Sequence, residues 1–273
     1  LTATSGDTGK AALEGFADVP GTRIIVFFPE DGVSDIQKRQ MITQKGDNTH
    51  VIGIKGNFDD AQNGVKQMFT DVEMIEKMGQ KGYMFSSANS INIGRLIPQI
   101  AYYFHGYLQL CKMGEIETGD EVNFTVPTGN FGNILAGYYA MRMGLPIKKL
   151  LCASNENKVL FDFFSTGIYD RKREFKVTMS PSMDILISSN LERLLYSLCE
   201  EDSGKVMELM QLLKSEGKYE ITNEMKERMK VFQGGYASEA KTAEAIRKVY
   251  QESGYIIDTH TAVAYSVYLD YSR

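Results

Sequence analysis

The stretch LTATSGDTGKAA, residues 1–12, decides the fold. Leu1–Thr4 reads as a short buried strand. Ser5-Gly6-Asp7-Thr8-Gly9 reads as a tight turn, and Lys10–Ala17 carries the 3.6-residue spacing of a helix. A strand feeding a glycine-bracketed turn and then a helix is the opening move of an α/β chain with parallel strands. The same move also builds a ligand loop. The first N–H groups of a helix have no intrahelical acceptor, and the helix dipole adds partial positive charge there. An anion such as a carboxylate or phosphate is the natural guest, although a Ser/Thr/Asp-capped turn with no ligand satisfies the same residues. Gly6-Asp7-Thr8-Gly9-Lys10 is not a P-loop: two residues instead of four separate the glycines, and Ala11 follows the lysine where a hydroxyl is needed.

Two further segments repeat the pattern. Pro127-Thr128-Gly129-Asn130-Phe131-Gly132-Asn133 lies between a strand ending at Val126 and a helix over Asn133–Met143. Its glycines are spaced GxxG rather than GxGxxG. This argues for a phosphate cradle of backbone N–H groups and against a dinucleotide fingerprint. In the segment 86–95, SSANSINIGR, the residues Asn89, Ser90 and Asn92 precede a long helix over Ile91–Met113. Arg95 sits in its first turn. A cation is unfavourable at that end of a helix unless an anion shares the site, so Arg95 beside amide and hydroxyl donors suits a second phosphate. Read alone, this loop is equally an N-cap beside a surface arginine. His260, within the segment 257–263, reads first as a hydrogen-bonded structural residue.

Around these loops, apolar runs alternate with helical patterns. Expected strands are Leu1–Thr4, Thr22–Phe28, His50–Ile54, Tyr83–Ser86, Glu121–Val126, Lys149–Ala153 and Tyr255–Ile257. Besides those already given, helices are expected over Phe58–Glu76, Asp184–Cys199, Ser203–Ser215, Thr222–Val231 and Ser238–Glu252. Gly144 and Gly254 follow periodic segments as C′ glycines. A domain junction is expected near Ser86, dividing residues 1–86 from residues 87–273.

Composition bounds the function. The 273 residues are 43% hydrophobic and 24% charged, with a net charge of −5, which argues against a nucleic acid or an anionic membrane as partner. Arg171-Lys172-Arg173 reads as a solvated loop. No apolar run approaches the ~20 residues of a membrane helix. Cys111, Cys152 and Cys199 are few and widely spaced, which excludes a disulfide framework and fits a cytoplasmic location. His50, His105 and His260 show no zinc-ligand spacing.

LTATSGDTG (1–9), SANSINIGR (87–95), PTGNFGN (127–133) and DTHTAVAY (258–265), in this order, closely resemble threonine synthase. IKGNFDDAQNGVK (54–66) and PSMDILISSNLERLLY (181–196) extend the resemblance over essentially the whole chain. It implies the tryptophan-synthase-β-like fold (fold type II): α/β, two three-layer domains with mainly parallel sheets flanked by helices, here incomplete at both ends. Residues 1–86 would form the smaller, substrate-carboxylate-binding domain and 87–273 the larger, cofactor-phosphate-binding one. The cofactor would be pyridoxal 5′-phosphate, its phosphate held by Gly129, Asn130, Phe131, Gly132 and Asn133, with the Thr261 hydroxyl at the pyridine nitrogen. Ser5, Gly6, Asp7 and Thr8 would receive the substrate α-carboxylate. Asn89, Ser90 and Arg95 would bind the phosphate of O-phospho-L-homoserine. The implied activity is that of a carbon–oxygen lyase acting on phosphate, converting O-phospho-L-homoserine and water to L-threonine and phosphate.

Two departures qualify this expectation. The family's Schiff-base lysine lies in a Phe-Lys-Asp context upstream of the ATSGDTG loop, and no Phe-Lys-Asp occurs in these residues. The chain is therefore expected to be a fragment lacking that lysine and the C-terminal end, inactive by itself and without covalently held cofactor. Thr259 replaces the proline common in relatives. Two alternatives stay open: a phospholyase giving 2-oxobutyrate from the same substrate, and a non-catalytic pseudoenzyme that binds pyridoxal phosphate or phosphate.

Overall fold

A computed structural model describes residues 1–4 and 6–272, Asp59 through its backbone only. The chain divides into two compact units, Leu1–Arg95 and Leu96–Arg273.

The first unit runs β1 (Thr2–Ala3), α1 (Asp7–Phe16), β2 (Ile24–Pro29), α2 (Asp35–Ile42), β3 (Thr49–Ile54), α3 (Phe58–Thr70) and α4 (Val72–Gln80). Its three strands are parallel in the order β1-β2-β3, with Thr2 opposite Val26 and Ile24 opposite Thr49. Side chains alternate across a strand, so β2 feeds two cores. Ile24, Val26 and Phe28 pack with Ala12 and Leu13 of α1 and Met41 of α2. On the opposite face, Ala3 and Phe27 pack with Ala61 and Val65 of α3. Helices on both faces of a parallel sheet are what βαβ crossovers require.

A helix α5 (Ile93–Met113) follows, then β4 (Val122–Pro127), α6 (Gly132–Arg142), β5 (Ile147–Ser154), α7 (Val159–Thr166), β6 (Ile168–Asp170) and a 3-10 turn at Pro181–Met183. The chain continues through α8 (Leu191–Leu198), α9 (Ser203–Ser215), β7 (Lys218–Glu220), α10 (Asn223–Arg228), β8 (Phe232–Tyr236), α11 (Glu239–Ser253) and α12 (Thr259–Tyr271). The second unit's main sheet is parallel in the order β4-β5-β8. Leu150 and Cys152 of β5 face a core with Ile134, Leu135 and Phe163, from α6 and α7. Ala153 faces the other way, onto Val263 and Val267 of α12. A two-stranded antiparallel sheet joins β6 to β7, and Tyr169 and Tyr219 stack there at 5.3 Å. No helix among the described residues is long and apolar enough to cross a membrane.

Several expected elements are corrected. Tyr83–Ser86 is not a strand. The following residues run beside the edge strand β1 instead, and Ala88 N–H reaches Leu1 O at 3.2 Å. Tyr255–Ile257 is not a strand either, and Ile256 is 72% exposed. The third strand of that sheet is β8, FQGGY, whose two glycines mask its strand propensity. The pattern over Phe58–Glu76 is two helices. Asp71 ends α3 in an extended conformation, and its carboxylate accepts from Met74 N–H at 2.9 Å to start α4. Of Asp184–Cys199, only the α8 part is helical. The helices α2 and α7 were not among the expectations.

Thr2 is fully buried on the Leu13/Met41 face, and its hydroxyl has no hydrogen-bond partner among the described residues. Replacing an unpaired buried hydroxyl with an isosteric methyl removes a desolvation cost. Thr2→Val is expected to raise stability by about 1 kcal/mol, read as a higher urea midpoint at unchanged m-value.

Candidate functional site

In the first unit, Thr4 organises the loop between β1 and α1. Its buried hydroxyl accepts from Gly6 N–H at 2.9 Å and Gly9 N–H at 2.8 Å, serving the helix start from two residues before Gly6. Gly6 has φ 143°, a region that side-chain-bearing residues avoid. Asp7 opens α1, and its carboxylate accepts from Gln37 Nε2 at 2.8 Å. Gln37 is in turn fixed by the capping box of α2, where its Oε1 accepts from Ser34 N–H at 3.2 Å. Thr8 occupies the second helical position. Ser5 lies outside the described residues.

The polar segment 86–95 is held on the edge of β1. The Asn89 side chain is buried and pairs with the backbone of Ala3 at both ends, Nδ2 donating to Ala3 O at 2.6 Å and Oδ1 accepting from Ala3 N–H at 3.1 Å. An amide that matches a peptide group in this way substitutes for a neighbouring strand. Asn92 spans the next turn, accepting from Gly94 N–H at 2.9 Å and donating to Ser87 O at 2.6 Å. Arg95 folds back, and one guanidinium nitrogen donates to Ala88 O at 2.7 Å. Burial lowers the Arg95 pKa, since removal from water disfavours the cation. An anion at that place would offset the cost. Ser90, between Asn89 and Arg95 in sequence, is partly buried.

In the second unit, the loop 128–133 sits at the carboxyl end of β4 and opens α6. It is enclosed by the strap 180–190. A Cβ on Gly129 would stand 2.7 Å from Ser182 O and 2.9 Å from Met183 Cα, so only glycine fits. Ser188 Oγ donates to Gly129 O at 2.6 Å, Phe131 N–H donates to Ser189 O at 2.8 Å, and Ser189 N–H donates to Asn130 Oδ1 at 3.3 Å. Asn133 faces α5: its Nδ2 donates to Gln99 Oε1 at 2.9 Å and its Oδ1 accepts from Tyr103 at 3.0 Å.

The strap is anchored at two places. At one, the Asp184 carboxylate accepts from Asn155 Nδ2 (2.7 Å), Asn157 Nδ2 (2.9 Å), Thr178 Oγ1 (2.7 Å) and Thr178 N–H (2.9 Å). At the other, Tyr169 donates to Leu186 O at 3.0 Å and accepts from Ser188 N–H at 2.8 Å. Burial pushes the Tyr169 phenol up, which keeps it a neutral donor and acceptor. Cys152, beneath the loop, is fully buried with its thiol pushed up to about 12, so it stays protonated and inert.

The start of α12 joins the same assembly. His260 Nε2 accepts from Ser182 N–H at 3.2 Å while Nδ1 lies 3.1 Å from Asp258 Oδ1, so the ring is held between the strap and the start of α12. Thr261 is exposed, and its hydroxyl donates to Asp258. Burial works upward on the Asp258 carboxyl, but the hydrogen bonds from the Thr261 hydroxyl and from the Thr261 and His260 N–H groups outweigh it and leave its pKa lowered. Thr261 is thus one residue from a contact that runs through Ser182 to Gly129.

The structure gathers Gly6, Asp7, Thr8, Asn89, Ser90 and Arg95 in the first unit, and Gly129–Asn133 with Thr261 in the second. Sequence reasoning missed Gln37, Asp184, Tyr169 and Ser188. Only Gln37 carried a local signal, the S-x-x-Q capping box of residues 34–37. Asn89→Ala would leave both polar groups of Ala3 buried without a partner, and a loss of about 2–3 kcal/mol is expected in denaturant titration. Asn89→Asp is expected to cost at least as much, since a carboxylate would face Ala3 O with no donor.

Comparison with known proteins gives the family and the fold. The sequence pattern of the family described as pyridoxal-phosphate dependent enzyme matches residues 1–273. Threonine synthase of Pseudomonas aeruginosa is 44% identical over 262 residues, covering 96% of this chain and 54% of that protein. Threonine synthase-like 1 of Homo sapiens is 45% identical over 272 residues, covering 97% of this chain and 37% of that protein. The crystal structure of PLP-bound threonine synthase from Brucella melitensis superposes with a TM-score of 0.87 at 42% identity, covering 98% of this chain and 56% of that one. The chain thus spans between about a third and just over half the length of these relatives. It belongs to the pyridoxal-phosphate dependent enzyme family, with the fold of the threonine synthases.

Proposed function

We propose that the protein takes part in threonine synthase chemistry, converting O-phospho-L-homoserine and water to L-threonine and phosphate in the cytoplasm. The observation that carries this reading is the second anion-receptive loop. A resident cofactor phosphate calls for one such site, and loop 128–133 suits it: glycine where the strap presses closest, no acidic residue, and helix-start N–H groups. The first unit adds a half-buried arginine in a loop of amide and hydroxyl donors, equipment that a pyridoxal-phosphate enzyme acting on an unphosphorylated amino acid does not need.

Pyridoxal 5′-phosphate, when bound, supplies the electron sink for carbanion chemistry. In this reading the loop Gly129, Asn130, Phe131, Gly132 and Asn133 would cradle its phosphate with the α6 dipole and the loop's backbone N–H groups other than that of Phe131, which the strap holds at Ser189 O. The Thr261 hydroxyl, which donates to Asp258, would be the group that faces the pyridine nitrogen. Ser5, Gly6, Asp7 and Thr8 orient the substrate by its carboxylate at the start of α1. Ser90 and Arg95 grip the departing phosphate, and Asn89 fixes the loop that carries them. Charge on that phosphate grows as it leaves, so a fixed guanidinium stabilises the departing state more than the bound substrate.

Product analysis tests the reading. The protein expressed from its full coding sequence, given pyridoxal 5′-phosphate and O-phospho-L-homoserine, is expected to release threonine and phosphate in equal amounts. Release of 2-oxobutyrate in place of threonine would assign it to the phospholyases, and no phosphate release would remove both. Residues 1–273 alone, which contain no Phe-Lys-Asp lysine, are expected to give no turnover. Arg95→Gln is expected to lower kcat/KM for the phosphorylated substrate about a hundredfold, the order of one lost charge-assisted contact, while cofactor affinity stays within about twofold.

A further inference from the structure

Ser154 closes β5, the middle strand of the second unit's parallel sheet, and is 2% exposed. Its hydroxyl has no hydrogen-bond partner among the described residues. A buried hydroxyl left this way costs stability and calls for a reason. Thr2 shares the property but faces an apolar core. Ser154 instead stands at the carboxyl end of a central parallel strand, where α/β folds place ligands.

Its direction follows from the register. Ser154 lies two residues beyond Cys152 and so on the same face, and Cys152 is paired with Val126 and Gly234. That face is covered by α6 and α7. A Cβ on Gly137 of α6 would stand 3.0 Å from Leu150 Cδ2, and one on Gly234 would stand 2.9 Å from Phe161 Cα of α7. On the neighbouring strand, Thr128 N–H donates to Ala153 O at 2.8 Å, so the loop 128–133 departs beside Ser154. The unpaired hydroxyl therefore projects to the side of the strand ends on which α6 begins and its N–H groups lie.

We propose that Ser154 Oγ is a further ligand of the cofactor phosphate, donating to an oxygen that the helix-start N–H groups do not reach. This rests on the reading of loop 128–133 as the phosphate site. The unsatisfied hydroxyl is a cost of the ligand-free fold that the phosphate removes.

The test uses the protein expressed from its full coding sequence and two probes, pyridoxine 5′-phosphate and pyridoxine, neither of which forms an imine. Ser154→Ala is expected to weaken pyridoxine 5′-phosphate about tenfold, leave pyridoxine affinity unchanged, and leave the ligand-free Tm unchanged or higher. Thr2→Val, the other buried hydroxyl removed, is expected to leave both affinities alone. Equal affinity of Ser154→Ala and wild type for pyridoxine 5′-phosphate would overturn the assignment while the phosphate loop stands. Loss of both probes with a lowered Tm would assign Ser154 to the fold and overturn it as well. A wild-type protein that does not distinguish the two probes would overturn the phosphate-loop reading itself.

Discussion

A parallel strand that runs into a helix leaves a row of backbone N–H groups with no acceptor, and this constraint organises both units of the protein. At α1 the donors of Gly6 and Gly9 are taken up by one buried threonine hydroxyl from the preceding strand. At α6 the Phe131 N–H is taken up by a carbonyl of the strap. In neither case does a capping side chain stand at the N-cap position itself. Helices α2, α3, α4, α9, α10, α11 and α12 each carry a side-chain cap in place, while α7 and α8, like α1 and α6, have none. Of these uncapped starts, those of α1 and α6 follow the glycine-bearing loops at the ends of β1 and β4, to which the functional reading assigns anions.

The second constraint is what backs those loops. In the first unit, β1 has two residues and an open edge, and Asn89 closes that edge by hydrogen-bonding both polar groups of Ala3. The glycine turn after β1 is therefore only as well placed as a residue 86 positions along the chain allows. In the second unit the strap does the corresponding work. Asp184 holds it to Asn155, Asn157 and Thr178, Tyr169 holds it at Leu186 and Ser188, and Ser182, Met183 and Ser188 press on Gly129. His260 ties the same strap to the start of α12. A loop fixed from several sides keeps its N–H groups aimed without reorganisation, which is what electrostatic stabilisation of an anion requires.

These features were unequally legible in the sequence. The alternation of strand and helix, and the loops at Gly6–Gly9 and Gly129–Asn133, follow from local patterns because one short stretch holds the whole signal. β8 was hidden by its Gly-Gly pair, since strand propensity measures side-chain packing and these positions have none to offer. The strap was misread as the start of a helix because its apolar residues fall at helical spacing. What keeps it out of a helix is a set of contacts to Asn155, Asn157 and Tyr169, each far off in sequence. Asn89 was legible as a polar residue in a ligand loop, but its partner is a backbone group, and backbone groups leave no mark in a sequence.

The two loops proposed for phosphates differ in a way that suits two different tenants. Loop 128–133 offers neutral donors and a helix start, and its surroundings are closed: Gly129 meets the strap on one side, and Asn133 is locked to Gln99 and Tyr103 on the other. A resident cofactor phosphate carries the same charge before and after a turnover, and neutral fixed dipoles hold such a group without over-binding it. The loop at 86–95 offers Arg95, a full charge whose own burial is unfavourable. A cation in that position gains most from an anion whose charge is rising and little from an empty site. In the proposed reaction the leaving phosphate is the group whose charge rises. In that proposed reading, an arginine there and none in loop 128–133 would sort the permanent anion from the departing one by the kind of donor each meets.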